Sequence, residues 1–269
     1  MRPTLSVLEN IHSSHAFGWT FENFDVFLTG RNGLDRPSLT AKLGPGTRGG
    51  WCFELNEWLA LALEDAGFTV RRLMARSLMA PDRPRTHQIC LVQVGDKVWT
   101  ADAGFGAQTP RGPMKLEDGF EASPDGLTYR MLHRPARGPE PFGEPDHWVL
   151  TCRWDGDWKD LYQFTLESAT PADFATGNHF HLTSPASTFA ETRMATKPVP
   201  GGRLTLADHT LKHWRNTPAG EVLEDQQTLE TKTQYAEVLA GQFGLALENK
   251  AIDRLWTLEP SVSRGNNPL

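Results

Sequence analysis

Apolar and polar positions change their spacing along the chain in a way that divides it into three stretches. Up to residue 67 the pattern is helical. Residues 3–15 and 37–43 are short candidate helices. Residues 52–66 are a stronger one, because Phe53, Leu55, Trp58, Leu59, Ala62, Leu63 and Ala66 recur at helical spacing and Gly67 supplies a left-handed stop. Cys52 therefore opens a helix. From 68 to 166, β-type runs at 69–73, 89–94, 98–101 and 148–154 alternate with Pro, Gly and Asp clusters, the material of a barrel or sandwich. Residues 135–145, rich in Pro and Gly, read as an exposed loop, and Asp155-Gly156-Asp157 as the turn of a hairpin. From 167 onward the pattern is mixed: strands at 189–195 and 203–207 precede a helix at 231–243 closed by Gly244, and 261–269 read as a loose tail. The result is an α+β chain in three parts, helical (1–67), β (68–166) and mixed (167–269), with no internal repeat.

Composition narrows the function classes. The 269 residues are 39% hydrophobic and include nine Trp and fourteen Phe, enough for a full core without disulfides or metals. A net charge of -6 excludes a partner recognised through a phosphate backbone, which requires a basic face, so no nucleic acid is expected. No stretch has the length and apolarity of a membrane span or the form of a signal peptide, and the expectation is a cytoplasmic protein with no membrane partner. Cys52, Cys90 and Cys152 are odd in number and widely spaced, which suggests neither a disulfide framework nor a zinc site.

Candidate chemistry lies in two segments. Gly49-Gly50-Trp51-Cys52 places a thiol at a helix N-terminus, where unpaired N–H groups favour thiolate and the glycines allow a substrate carbonyl to approach the backbone. His87 opens a strand that returns through Gly95-Asp96 to Asp102. If Val94 pairs with Lys97, His87 faces Gly104 and Asp102 is its diagonal neighbour on the same sheet face, about 7–8 Å away and within side-chain reach. An imidazole so placed is oriented by the carboxylate on one nitrogen and offers the other to a thiol. Each segment alone also has an ordinary reading, as a buried structural cysteine or as an exposed hairpin with an unrelated His and Asp.

Taken together, Arg48-Gly49-Gly50-Trp51-Cys52-Phe53-Glu54-Leu55-Asn56, Thr86-His87 and Ala101-Asp102-Ala103-Gly104-Phe105-Gly106 resemble, in order and spacing, the arylamine N-acetyltransferase family. Phe21-Glu22-Asn23-Phe24-Asp25-Val26 extends the resemblance upstream, and it continues more weakly through Asn178 and Phe189 over nearly the whole chain. It implies a cysteine-protease-like α+β fold of N-terminal helical bundle, central β-barrel and C-terminal α/β lid. It also implies a ping-pong reaction. Cys52 takes an acetyl group from acetyl-CoA, a co-substrate rather than a tightly bound cofactor; His87 holds the thiolate and moves protons; Asp102 orients His87. An arylamine, hydrazine or N-hydroxyarylamine then takes the acetyl group from the thioester. Phe21, Thr86, Phe105, Gly106 and Phe189 are the implied substrate contacts, and Gly104, Thr109, His213 and Trp214 the implied CoA contacts. Arg48, Glu22 and Asn56 are implied to form a polar network beneath the nucleophile, with Coulomb stabilisation of the thiolate as a second use of Arg48.

Two departures from the family pattern stand out. The chain begins close to its Phe-Glu-Asn motif, which omits most of the expected first helix and puts packing of the first part in doubt, and Thr20 replaces the usual Pro, loosening the backbone beside Phe21. Papain-like proteases and transglutaminases use the same triad order, but Arg-Gly-Gly-x-Cys and Gly-Phe-Gly favour the acetyltransferase. An amide synthase of the same fold, releasing an acyl chain onto an aryl amine, and a non-catalytic binding module are the other readings of the cleft.

Overall fold

The computed structural model of the protein describes residues 2–137, 143 and 145–258. The chain begins with α1 (Leu5–Gly18), capped by the Thr4 hydroxyl, with Leu8, His12 and Ala16 buried at four-residue spacing. β1 (Phe21–Glu22), α2 (Phe24–Leu28) and α3 (Arg36–Leu43) follow, the last capped by Asp35, which accepts from Ser38 N. α4 (Cys52–Asp65) matches the strongest predicted helix and stops where Gly67 adopts φ +91°. Leu59, Ala60 and Leu63 of α4 pack with Leu8 and Ala16 of α1 in one buried cluster. The first part is therefore well packed, against the expected loosening. Thr20 is likewise held: its hydroxyl donates to the Phe243 carbonyl and its own carbonyl accepts from Gly50 N, so a hydrogen bond does the work of a ring.

The next elements are β2 (Thr69–Ser77), β3 (His87–Val94), β4 (Lys97–Ala101), β5 (Met114–Lys115), β6 (Glu121–Ala122), β7 (Tyr129–Arg134), β8 (His147–Trp154) and β9 (Asp157–Phe164). They form one antiparallel sheet in the order β5-β4-β3-β2-β9-β8-β7-β6, curled so that β5 lies against β7 in a nearly closed barrel. Leu73, Ile89, Tyr129, Leu150, Leu161 and Phe164 fill it. The hairpin turn is two residues, not three, since Trp154 pairs with Asp157; Asp155 and Gly156 both take positive φ, as a type I′ turn requires. The loop expected at 135–145 falls largely outside the described residues, and the tail expected at 261–269 lies wholly outside them.

The remainder comprises α5 (Pro171–Thr183), β10 (Met194–Val199), β11 (Gly202–Ala207), β12 (Thr210–Thr217), β13 (Gly220–Thr228), α6 (Lys232–Gly241) and α7 (Asn249–Thr257). The strand expected at 189–195 starts only at Met194. Residues 188–190 form a 3₁₀ turn, because the Ser187 hydroxyl accepts from Phe189 N and competes with an extended backbone. β10 to β13 form a second antiparallel sheet whose far edge is β1, paired to β10. Leu206, Leu211, Tyr235, Leu239, Phe243 and Leu255 make its core with α6 and α7. Through β1 and a bridge between Phe21 and Gly50, this sheet is joined to the segment that leads into Cys52.

Candidate active site

Cys52 is the first residue of α4 and is buried, its sulfur 3.7 Å from the Thr86 carbonyl oxygen. The glycines before it permit close backbone passage: a Cβ on Gly49 would lie 1.9 Å from the Thr20 carbonyl oxygen. On the opposite side, a Cβ on Gly104 would lie 2.9 Å from Cys52 Cα. Only glycine lets the segment after Asp102 run alongside the nucleophile helix.

His87 pairs with Ala75 on β2, but the β3–β4 ladder ends at Cys90 and Ala101, so the expected pairing of His87 with Gly104 is absent. Asn56 takes over where the ladder stops. Its amide nitrogen donates to Gln88 O (2.6 Å) and Asp102 Oδ1 (2.8 Å), and its oxygen accepts from Ala103 N (2.8 Å). This wedge turns the Asp102 carboxylate toward His87, and Oδ2 accepts from Nε2 at 2.7 Å. Gly104 N donates to Oδ1 (2.9 Å), completing three donors on one buried carboxylate. With Nε2 on Asp102, Nδ1 is the ring nitrogen left for Cys52.

Electrostatics follow from this geometry. Burial alone would lower the His87 imidazole, but the Asp102 carboxylate and the Cys52 sulfur outweigh it and raise the imidazole to about 10. Burial likewise disfavours the charged form of Asp102, yet His87, Asn56 and Gly104 hold its carboxyl below the usual range. Phe105 and Tyr162 enclose the imidazole at ring distances of 5.0 and 5.1 Å. Burial and the nearby Asp102 charge keep the Tyr162 phenol neutral.

A cleft of about 150 Å³ opens onto Cys52 and His87. Phe21, Thr86, Gly104, Phe105, Gly106 and Phe189, all named from the sequence, line it. The other three residues named as CoA contacts, Thr109, His213 and Trp214, do not. Thr109 is buried and accepts from Arg111 through its carbonyl. His213 and Trp214 lie on β12, where Trp214 donates to the Thr205 hydroxyl (3.2 Å) and stacks under Arg203 (4.6 Å).

The polar support is two networks rather than one. Arg48 binds Glu22 (2.8 Å) and Asp25 (3.0 Å), while Lys42 joins Asp25 (2.6 Å) to buried Glu54 (2.7 Å). Arg48 is thus taken up by carboxylates rather than by the thiol, and Asn56 belongs with Asp102 instead. Among residues the sequence did not single out, His181 of α5 is notable: Nε2 meets the Thr86 carbonyl at 3.1 Å and Nδ1 the Ser187 hydroxyl at 3.1 Å. Since a carbonyl only accepts, Nε2 carries the proton and Nδ1 accepts. Burial lowers this imidazole to about 4, so it is neutral near pH 7. The carbonyl it binds is the one facing Cys52.

Among the described residues no cluster of three His, Cys, Asp or Glu forms a metal-binding group, and no helix is long and apolar enough to cross a membrane. The three cysteines are unpaired.

A buried thiol at a helix start, beside an imidazole held by a carboxylate, is an arrangement that can act as a nucleophile and form a covalent acyl-sulfur bond. The N-acetyltransferase family model matches residues 4–252. The arylamine N-acetyltransferase / N-hydroxyarylamine O-acetyltransferase of Salmonella typhimurium is 33% identical over 251 residues, 92% of this chain and 84% of that one. The Escherichia coli arylamine N-acetyltransferase is 33% identical over 250 residues, 91% of this chain and 84% of its own. The solved Salmonella typhimurium structure superimposes with a TM-score of 0.84 at 29% identity, over 95% of this chain and 92% of that one. The Mycobacterium marinum enzyme in complex with CoA gives 0.80 at 27% identity, over 94% and 93%. The chain belongs to the N-acetyltransferase family, and is an acyltransferase.

Proposed function

We propose that the chain is an acetyl-CoA-dependent arylamine N-acetyltransferase that works by a ping-pong mechanism through an acetyl thioester on Cys52. The observation that carries this reading is the alignment of Cys52, His87 and Asp102 at the mouth of a largely apolar cleft. The names of the relatives above supply the arylamine, and the CoA complex of the Mycobacterium marinum enzyme supplies the donor.

In the first half-reaction the Cys52 sulfur gives its proton to His87 Nδ1 and attacks the acetyl carbonyl carbon. The C–S bond to CoA breaks and the CoA sulfur leaves as a thiol with the proton from His87 Nδ1. In the second half-reaction an aryl amine or hydrazine nitrogen attacks the Cys52 thioester. Its proton returns to His87 and the Cys52 thiolate leaves. Asp102, acceptor of three hydrogen bonds, fixes the ring so that Nδ1 faces sulfur throughout. Phe21, Phe105 and Phe189 keep water from the thioester. In this reading Gly104 is a CoA contact; Thr109, His213 and Trp214, outside the cleft, have only the family resemblance behind them.

The same reading divides the chain at residues 67 and 166 and places it in the cytoplasm, where a free thiol nucleophile stays reduced. Initial rates with acetyl-CoA and 4-aminosalicylate, or isoniazid as hydrazine, test it. Parallel double-reciprocal lines are expected, and intersecting lines contradict a thioester intermediate.

A further inference from the structure

We propose that the Thr86 main-chain carbonyl, held in place by His181, accepts a hydrogen bond from the attacking nitrogen in the second half-reaction, which makes His181 a positioning residue for transfer to amines. The inference rests on the acetyl-transfer reading above and deepens it. Thr86 immediately precedes His87, and its carbonyl oxygen meets two donors, the Cys52 sulfur at 3.7 Å and His181 Nε2 at 3.1 Å. A carbonyl oxygen has two lone pairs, and these contacts take both. His181 is a fixed donor. Its Nδ1 accepts from the buried Ser187 hydroxyl at 3.1 Å, and Trp51 and Phe189 flank the ring at 5.8 and 4.8 Å. α5 carries it in register with the nucleophile: Asn178, three residues earlier on the helix, accepts from Nε1 of Trp51, the residue before Cys52, at 2.8 Å.

Acylation changes one of the two contacts. A thioester sulfur has no hydrogen to give, so the lone pair that faced Cys52 is released toward the space beside the acetyl group, while the one on His181 stays occupied. A primary amine or hydrazine nitrogen that attacks there brings two hydrogens. As the N–C bond forms and the C–S bond breaks, one hydrogen passes as a proton to His87 Nδ1, which restores it to the Cys52 sulfur. The other stays on the amide product. Within a cleft walled by Phe21, Phe105 and Phe189, that second hydrogen needs an acceptor, and no Asp or Glu is among the described residues that line it. The Thr86 carbonyl stands beside the sulfur and is vacant at that stage. A thiol attacking the same thioester brings a single hydrogen, which His87 takes, and makes no use of the carbonyl. His181 therefore favours acceptors whose attacking atom keeps a second hydrogen.

The test measures how the acetylated full-length chain partitions between two nucleophiles, with acetyl-CoA as donor. One is 4-methoxyaniline, read as its acetanilide; the other is isotopically labelled CoA, read as labelled acetyl-CoA. The ratio of kcat/KM for the amine to kcat/KM for CoA is independent of the fraction of active protein, and a general loosening of the site lowers both together. His181→Leu is expected to lower the ratio about fivefold, the scale of one neutral hydrogen bond, with exchange into CoA retained. His181→Asn, too short to reach the carbonyl, is expected to do the same, whereas His181→Gln, whose amide nitrogen reaches the place of Nε2, should keep most of the wild-type ratio. A ratio unchanged in His181→Leu or His181→Asn, or lowered to the same extent in His181→Gln, overturns the assignment. A wild type that moves no label into acetyl-CoA is a different result, and overturns the thioester reading itself.

Discussion

At Asp102, donors from three different segments converge on one buried carboxylate, and each has a separable consequence. Asp102→Asn keeps the shape but removes the charge that raises His87. The imidazole then titrates lower than in the wild type, because burial is no longer outweighed by that charge, which NMR of the ring protons would detect, and acylation slows by about 10³–10⁴-fold on the precedent of other triads. Near-normal acylation in this variant would remove Asp102 from the mechanism. Asn56→Ala leaves Gln88 O and Ala103 N, both buried, without the amide, and should cost about 2–4 kcal/mol in urea unfolding. A loss under about 0.5 kcal/mol would show that Asn56 is not the wedge. The sequence made Cys52, His87 and Asp102 legible, because two glycines before a thiol and a tight hairpin are local signals. Asn56 is visible as part of a motif that groups it with Arg48, since nothing local says which carboxylate an amide will meet. His181 sits on a helix whose apolar pattern is too weak to read.

That helix, α5, shows why some elements escape sequence reading. Gly177, Asn178, His179 and Thr183 are poor helix formers, yet Pro171 in the first turn and Asp173 accepting from Thr170 N (2.7 Å) start it firmly. The signal was present as Thr-Pro-x-Asp, without the apolar stripe that usually follows. β13 fails for the opposite reason: Glu221, Glu224, Asp225, Gln226 and Gln227 face water or ion partners on an edge strand, so no alternation marks it. By contrast α4 carries apolar residues at helical spacing and the β3–β4 hairpin turns at Gly95, where φ is +62°, so both lie within two residues of the ranges that the sequence predicts. α5 is anchored near the site by Asn178, whose oxygen accepts from Trp51 Nε1 (2.8 Å) and whose nitrogen donates to Asn32 (2.7 Å). Asn178→Ala should cost about 1–3 kcal/mol and speed amide hydrogen exchange along 171–183 well before global unfolding. Exchange unchanged in α5 would show that the helix is held by packing alone.

On the scale of the whole molecule, β1 ties the C-terminal sheet to the segment before Cys52, and the cleft draws on helical, barrel and second-sheet residues alike. No local pattern announces a two-residue strand whose partner is more than a hundred positions away. Three buried imidazoles also set the pH range of the fold. His12, which meets the Asp102 carbonyl at 3.0 Å, and His181 are both lowered by burial to about 4, so the unfolded chain binds more protons and stability declines as pH falls from 6.5 to 4. His87, despite burial, is raised by Asp102 to about 10, so the folded chain binds more protons and stability declines as pH rises from 6.5 to 10. Denaturant midpoints should therefore peak near pH 6.5, with the alkaline slope reduced in Asp102→Asn; a peak displaced beyond pH 9 would contradict the His87–Asp102 pair.

The most direct test of the central claim is the mass of the intact protein after brief exposure to acetyl-CoA without an amine, in wild type and Cys52→Ala. The account predicts a gain of one acetyl group in the wild type alone, discharged when 4-aminosalicylate is added. An acetyl group that also appears on Cys52→Ala, or one that the amine does not remove, would contradict a thioester on Cys52 as the intermediate.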